Sequence, residues 1–220
     1  MTIRSKLYAA IVVTVAGLAL TAGAGIWGMN RLSDRFDGVQ RADAARALAL
    51  QLKFGVADFN GWQTAYGYDN GKSRPIFLSS VAGFRQTLAR AKRELRRPIE
   101  RTLLAEISVA FGDFMRLDEV AWAALQAGRT AEVRRLFLGP EIANFRRAAA
   151  GAQGLAQVEE KRANAEERRF REARKDALRA LIGASLVAAL LVAILLVTAL
   201  DLARMAERAL AQSSSPAEVE

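Results

Sequence analysis

The chain of 220 residues contains neither cysteine nor histidine. Without cysteine there is no disulfide framework, zinc–thiolate site, iron–sulfur cluster or thiol nucleophile. Without histidine there is no His-based catalytic triad, histidine metal site or axial-His haem. Proline occurs four times and aromatic residues make up 7%, while 52% of residues are apolar and 25% charged. That balance suits long helices and membrane segments better than a sandwich or barrel. The net charge is +9, and 26 of the 32 basic residues are Arg.

Charge is missing altogether from two stretches. Residues 7–30, LYAAIVVTVAGLALTAGAGIWGMN, form one, and residues 180–200, ALIGASLVAALLVAILLVTAL, the other. Each reaches the roughly 20 residues that a helix needs to cross about 30 Å of hydrocarbon. Trp27 stands near one end of the first, where an interfacial aromatic is expected. MTIRSK followed by an apolar run and TAGAG also has the form of a secretory signal peptide, although the run exceeds a normal signal core of about 7–15 residues. Both readings give an exported, membrane-held chain. The expected layout is a cytoplasmic head (1–6), a first transmembrane helix (7–30), a large extracytoplasmic segment (31–179), a second transmembrane helix (180–200) and a short cytoplasmic tail (201–220). The chain is thus expected to be multi-pass in the plasma (inner) membrane, with the lipid bilayer as its first partner. The tail ends in a Ser-Ser-Ser-Pro run that reads as disordered. Residues 30–180 hold 28 Lys and Arg against 19 Asp and Glu, which is the whole of the net charge. No basic–aromatic platform accompanies this excess, so nucleic acid is not expected as a partner; an Arg-rich solvated surface or attraction of an anionic ligand accounts for it.

Helical spacing dominates between the apolar runs. Ala45, Leu48, Leu52, Gly55, Phe59, Trp62 and Tyr66 alternate at three and four residues, and the first helix is expected to end near residue 68. DNGKSRP (69–75) is a strong turn signal. Phe77, Val81, Phe84, Leu88, Ala91 and Leu95 mark a second helix, and Pro98 the next corner. Ile99, Leu103, Ile107, Ala110, Phe114, Leu117, Ala121 and Ala124 mark a third, ending near Gly128. Thr130 is the expected N-cap of a short helix to about Leu138, and Pro140 the expected first residue of a fourth helix carrying Leu138, Ile142, Phe145, Ala149, Ala152 and Ala156. The predicted fold is all-α: two transmembrane helices flanking an extracytoplasmic up-down-up-down four-helix bundle. The second and third helices are too short to match the other two, which leaves a thin membrane-proximal stalk. Within it, EEKRANAEERRFRE (159–172) is mostly charged, and the fourth-helix phase puts Glu159 and Glu166 on the inward stripe. Such a stalk gains from a second copy, so a homodimer is expected.

Two runs, DFNGWQTAYGYD (58–69) and LGPEIANFRRAA (138–149), resemble the end of the first and the start of the fourth bundle helix of bacterial methyl-accepting chemotaxis receptors. Over residues 1–200 the chain is similar to the sensory, four-helix-bundle ligand-binding portion of those receptors. The resemblance implies signal transduction: detection of a small molecule or partner outside, and a helix displacement passed inward. Receptors of that family continue into a HAMP linker and a cytoplasmic signalling coiled coil, whereas DLARMAERALAQSSSPAEVE comes after the second apolar run here. A truncated receptor, a sensor acting through a separate signalling protein, and a structural or scaffolding membrane protein therefore stay open.

No phosphate loop, nucleotide fingerprint or EF-hand pattern is present, and no cofactor is expected. The carboxylate pairs Asp118–Glu119, Glu159–Glu160 and Glu166–Glu167 are interleaved with Arg and read as surface charge, so no enzyme activity is expected. The candidate site lies where helix one ends and helix four begins: Asn60, Trp62, Gln63, Tyr66, Arg74, Arg134, Arg135 and Asn144, with Tyr68 beside them. Aromatic walls with amide and guanidinium groups suit a small anionic, carboxylate-bearing ligand. The same pattern is equally that of a core with Trp62 and Tyr66 on its apolar stripe and the arginines solvated.

Overall fold

The computed structural model describes residues 3–213. Apart from short corners the chain is helical over that range, and no strand occurs among the described residues. Four long helices, α1 (Ile3–Tyr68), α2 (Arg74–Glu94), α3 (Pro98–Gln126) and α5 (Ile142–Ser213), are joined by short corners, with a one-to-two-turn helix, α4 (Thr130–Leu136), before the last. The Ser-Ser-Ser-Pro run lies almost wholly outside the described residues.

Two compact units are present, one of residues up to Phe36 and from Arg169 on, the other of Asp37–Arg168. In the first, small residues let the two helices approach: a Cβ built on Gly28 would stand 3.2 Å from the Ala177 Cβ, and one on Gly17 3.8 Å from that of Ala188. The Arg31 guanidinium lies 5.2 Å from the Trp27 ring centre, and Phe36 meets Phe170 at 6.1 Å. Both α1 and α5 contain a run long and apolar enough to cross a membrane, and these runs are not buried inside the protein.

The second unit has one apolar core, contributed by α1, α2, α3 and α5. Phe59 is its hub, with ring centres 5.1 Å from Phe84, 5.4 Å from Phe111 and 5.0 Å from Phe114. Neighbours run antiparallel. Tyr66 meets Phe77 and Phe59 meets Phe84 between α1 and α2; Arg74 meets Asp118 and Phe84 meets Phe111 between α2 and α3. Glu100 pairs with Arg162 while Gly151 abuts Ile107 between α3 and α5. Arg46 faces Glu160 and Gly38 faces Glu166 between α5 and α1.

Local chemistry accounts for the corners. After Tyr66 the chain turns through Asn70 (φ 53°) and Gly71 (φ 89°), both left-handed. The Asp69 carboxylate accepts the Ser73 N–H at 3.2 Å and its hydroxyl at 2.5 Å, which holds this carboxyl below its usual range. Arg97, immediately before Pro98, is extended (φ −67°, ψ 151°), the conformation the ring of a following proline favours.

The start of the fourth long helix departs from the expectation. Thr130 is the first residue of α4 and not its cap; Arg129 precedes it and makes no side-chain capping bond. Pro140 does not open a helix but lies within a π-helical turn, Phe137–Glu141, that runs into α5. A π turn holds more residues than an α turn, so it rotates the residues on its amino-terminal side relative to those on its carboxyl-terminal side. Leu138, expected on the apolar stripe, is therefore 74% exposed, and Glu141 is buried in its stead. Farther along, the buried positions are Ala148, Ala152, Leu155 and Ala156, one step from the expected phase at Ala149. In α3 the stripe is broader than expected: Leu104, Phe111, Met115 and Asp118 join it, while Ile99 is exposed.

Candidate functional site

Where α1 ends, α2 begins, and α3 and the π turn pass by, five polar side chains meet in an apolar setting. The i+4 and i−3 spacing of Asp118 from Phe114 and Ala121 turns its carboxylate into the core, where it is fully buried. Its Oδ1 accepts the Gln63 amide at 3.1 Å, the Tyr66 hydroxyl, and Arg74 Nη1 at 2.8 Å. Arg74 Nη1 is also 2.7 Å from Oδ2, which accepts no hydrogen bond. The guanidinium stands 4.8 Å from the ring centres of Tyr66 and Phe77 and 4.9 Å from Trp122, so one cation is held by an anion and three aromatic faces. Trp122 and Phe137 pack edge-on against Tyr66 at 5.7 and 5.9 Å. Gly71 is required here: a Cβ on it would fall 2.7 Å from the Trp122 ring.

Glu141 enters from the π turn. It is 1% exposed, and neither carboxylate oxygen accepts a hydrogen bond. Burial, and after it the Asp118 charge, pushes this carboxyl up to about 8, while the Gln63 amide and Arg74 pull the other way. Burial and the bonded Asp118 likewise hold the Tyr66 phenol far above its usual range.

A second buried polar group lies where α2 gives way to α3. Glu100 accepts the Arg97 backbone N–H at 2.8 Å and its Nε at 2.6 Å, closing the start of α3. Arg97 Nη2 donates to Glu159 at 2.9 Å, and Arg162 lies 3.3 Å from Glu159 and 3.5 Å from Glu100. Burial would raise Glu100, but the hydrogen bonds from Arg97 outweigh it and hold the carboxyl below its usual range. Burial and the neighbouring Glu100 push Glu159 up.

Of the residues singled out in the sequence, Gln63, Tyr66 and Arg74 converge on Asp118. Trp62 donates from Nε1 to Asp58 Oδ1 at 3.2 Å, and Asp58 also accepts the Ser80 hydroxyl. The Asn60 carbonyl accepts the Thr64 hydroxyl at 2.9 Å, and the Asn144 amide oxygen accepts Arg147 at 3.2 Å. Arg134 and Arg135 are exposed on α4. No hydrogen bond or ion pair among the described residues joins these five to Asp118. Asp118 and Glu159, read as surface charge from their acidic neighbours, are instead fully buried. Glu159 does face inward as its helical phase requires; Glu166 is half-buried. Sequence patterning alone passes over Asp118 and Glu141, yet both carry a signal, since each falls at a helical interval from buried apolar residues (Phe114 and Ala121; Ala148). No protein-family model, curated protein or solved structure matches the chain.

Proposed function

We propose that this chain is a membrane-anchored sensory module resembling the ligand-binding portion of a chemotaxis receptor. In this reading Asp37–Arg168 is an up-down-up-down four-helix bundle outside the plasma membrane, the two apolar runs span the bilayer, and α5 passes a small displacement inward. The observation that carries it is the continuity of α5. One helix of 72 residues holds the core positions Ala148 to Ala156, the charged stretch and the second apolar run. Packed helices move as units between discrete arrangements. Reporter fusions at residue 72 and at the carboxyl terminus test the topology: the first is expected to be active outside and the second inside, and an internal reporter at residue 72 overturns the reading.

A small anionic ligand at Arg74 would have to compete with Asp118 for the guanidinium, a pairing that favours the alternative reading of a scaffold without a ligand. Thermal unfolding of the full chain in detergent against carboxylate-bearing metabolites separates the two. Saturable stabilisation supports a sensor.

A homodimer is part of the proposal. Phe54, Ala57, Gly61, Thr64 and Tyr68, all exposed, lie at alternating intervals of three and four along the outward side of α1. This is a heptad seam. In a parallel pair Lys53 of one copy faces Asp58 of the other, five residues on, as flanking charges of opposite sign. The chain has no cysteine, so Ala57→Cys is a clean probe. It is expected to form disulfide-linked dimers in membranes, and Phe54→Lys to abolish them.

A further inference from the structure

At the Asp118 cluster two buried carboxyl groups lie near one guanidinium, which is bonded to Asp118. Asp118 accepts hydrogen bonds from Gln63, Tyr66 and Arg74, whereas among the described residues the Glu141 oxygens accept none of good geometry and have only the nearby Gln63 amide and Arg74 to ease a charge. An ionised carboxylate is poorly compensated in such a place, and a neutral one needs little. The position of Glu141 matters as much as its burial. It is the last residue of the π turn, directly before α5, and single π turns are rare insertions in a helix that are frequent at functional sites. Glu141 shares the phase of Ala148 and Leu155 on α5, so it can leave the core only if the start of α5 rotates or unwinds with it.

We propose that Glu141 is a proton-operated latch: protonated, it holds the π turn against α3, and on losing its proton to solvent as an ionised carboxylate it leaves the core and releases the start of α5. The groups that face it are Gln63 and Tyr66 from α1, Arg74 from α2 and Asp118 from α3. Only Arg74 is cationic, and Asp118 already engages it. The protein thereby gains a response to alkaline pH that needs no ligand. Its bearing on signalling rests on α5 acting as the transmitting helix; the latch does not, and its test reads the latch alone.

Proton uptake fixes the sign of the effect. A carboxyl raised from its ordinary 4.5 to about 8 keeps its proton in the folded chain while the unfolded chain releases it. Stability from this group is complete below pH 4.5, declines as pH rises, and is gone above about 8. Glu159 is also raised, so the wild-type slope contains both acids, and the difference from Glu141→Gln isolates the latch. For the full chain in detergent, the Tm of wild type is expected to fall relative to that of Glu141→Gln between pH 5 and 8.5, by on the order of 10 °C. Amide exchange over residues 133–148 is expected to accelerate in wild type relative to the variant across the same range. Parallel Tm curves, or an exchange ratio that does not change with pH, overturn the proposal. Should Glu141→Gln fail to fold, infrared spectra of Glu159→Gln decide: a protonated-carboxyl band at pH 7 that disappears by pH 9 supports the latch, and no such band at pH 7 removes it.

Discussion

At the scale of single residues, the Arg74–Asp118 pair tests how the core tolerates charge. Both partners lie in an aromatic setting, so removing one strands the other. Asp118→Ala is expected to destabilise the chain by about 3–5 kcal/mol in reversible unfolding, because the largely buried Arg74 guanidinium loses the anion it is bonded to. Arg74→Met with Asp118→Leu is expected to recover most of that loss, since apolar replacement of a whole buried pair is often neutral. A double variant as unstable as Asp118→Ala would show that the bonds from Gln63 and Tyr66, left unmade in both, dominate. Glu100 supplies a pH-dependent case of opposite sign to Glu141. Its carboxyl is held below the usual range, so its contribution is present above pH 4.5 and is lost as pH falls through its folded value. Glu100→Gln is expected to destabilise by about 2 kcal/mol at pH 7, with the penalty shrinking below pH 4.5 in urea titrations.

At the scale of elements, glycines separate packing from propensity. A Cβ on Gly151 of α5 would fall 2.9 Å from Ile107 Cγ1 of α3, whereas one on Gly112 of α3 meets nothing within 4 Å. Gly151→Ala is expected to destabilise by about 1–3 kcal/mol through overpacking at the α3–α5 contact. Gly112→Ala is expected to stabilise by about 0.5–1 kcal/mol, since alanine restricts the unfolded chain and suits a helix. Equal and favourable effects in thermal melts would mean that the two helices part easily. Sequence periodicity anticipated most of this level: the stripe from Ala45 to Tyr66, the turn at residues 69–75, and the corner at Pro98. It missed the π turn, because a proline after a glycine is as good a helix start as a helix interruption, and the choice between them depends on which face of α5 the core demands.

At the scale of the whole molecule, the large apolar exposure of both long helices is the dominant physical fact. Leu186, Leu190, Ile194 and Leu196 are each more than half exposed, as are Val12, Val15 and Leu18. Apolar surfaces of that extent are costly in water, and both runs are long enough to cross a membrane. The chain is accordingly expected to partition entirely with membranes and to resist extraction by high salt or carbonate. Release into the soluble fraction by either treatment would contradict a spanning anchor.

The information legible along the chain is one-dimensional. The absence of Cys and His ruled out whole chemistries, the two uncharged runs set lengths compatible with a bilayer, and three-and-four spacing set which elements are helices and roughly which side of each is apolar. The pairing of buried charges was settled only in three dimensions. Asp118 is adjacent to Glu119 in sequence, yet it is bonded to Arg74, 44 positions away, and Glu159 to Arg97, 62 positions away. Helical periodicity leaves the rotation and axial register of each helix free, and those two freedoms decide whether an acidic residue at the margin of a stripe faces water or a guanidinium. The tertiary packing resolved them by bringing the α1 corner, α3 and the π turn together, which put Glu141 beside Asp118 and left it with a proton as its simplest means of neutrality.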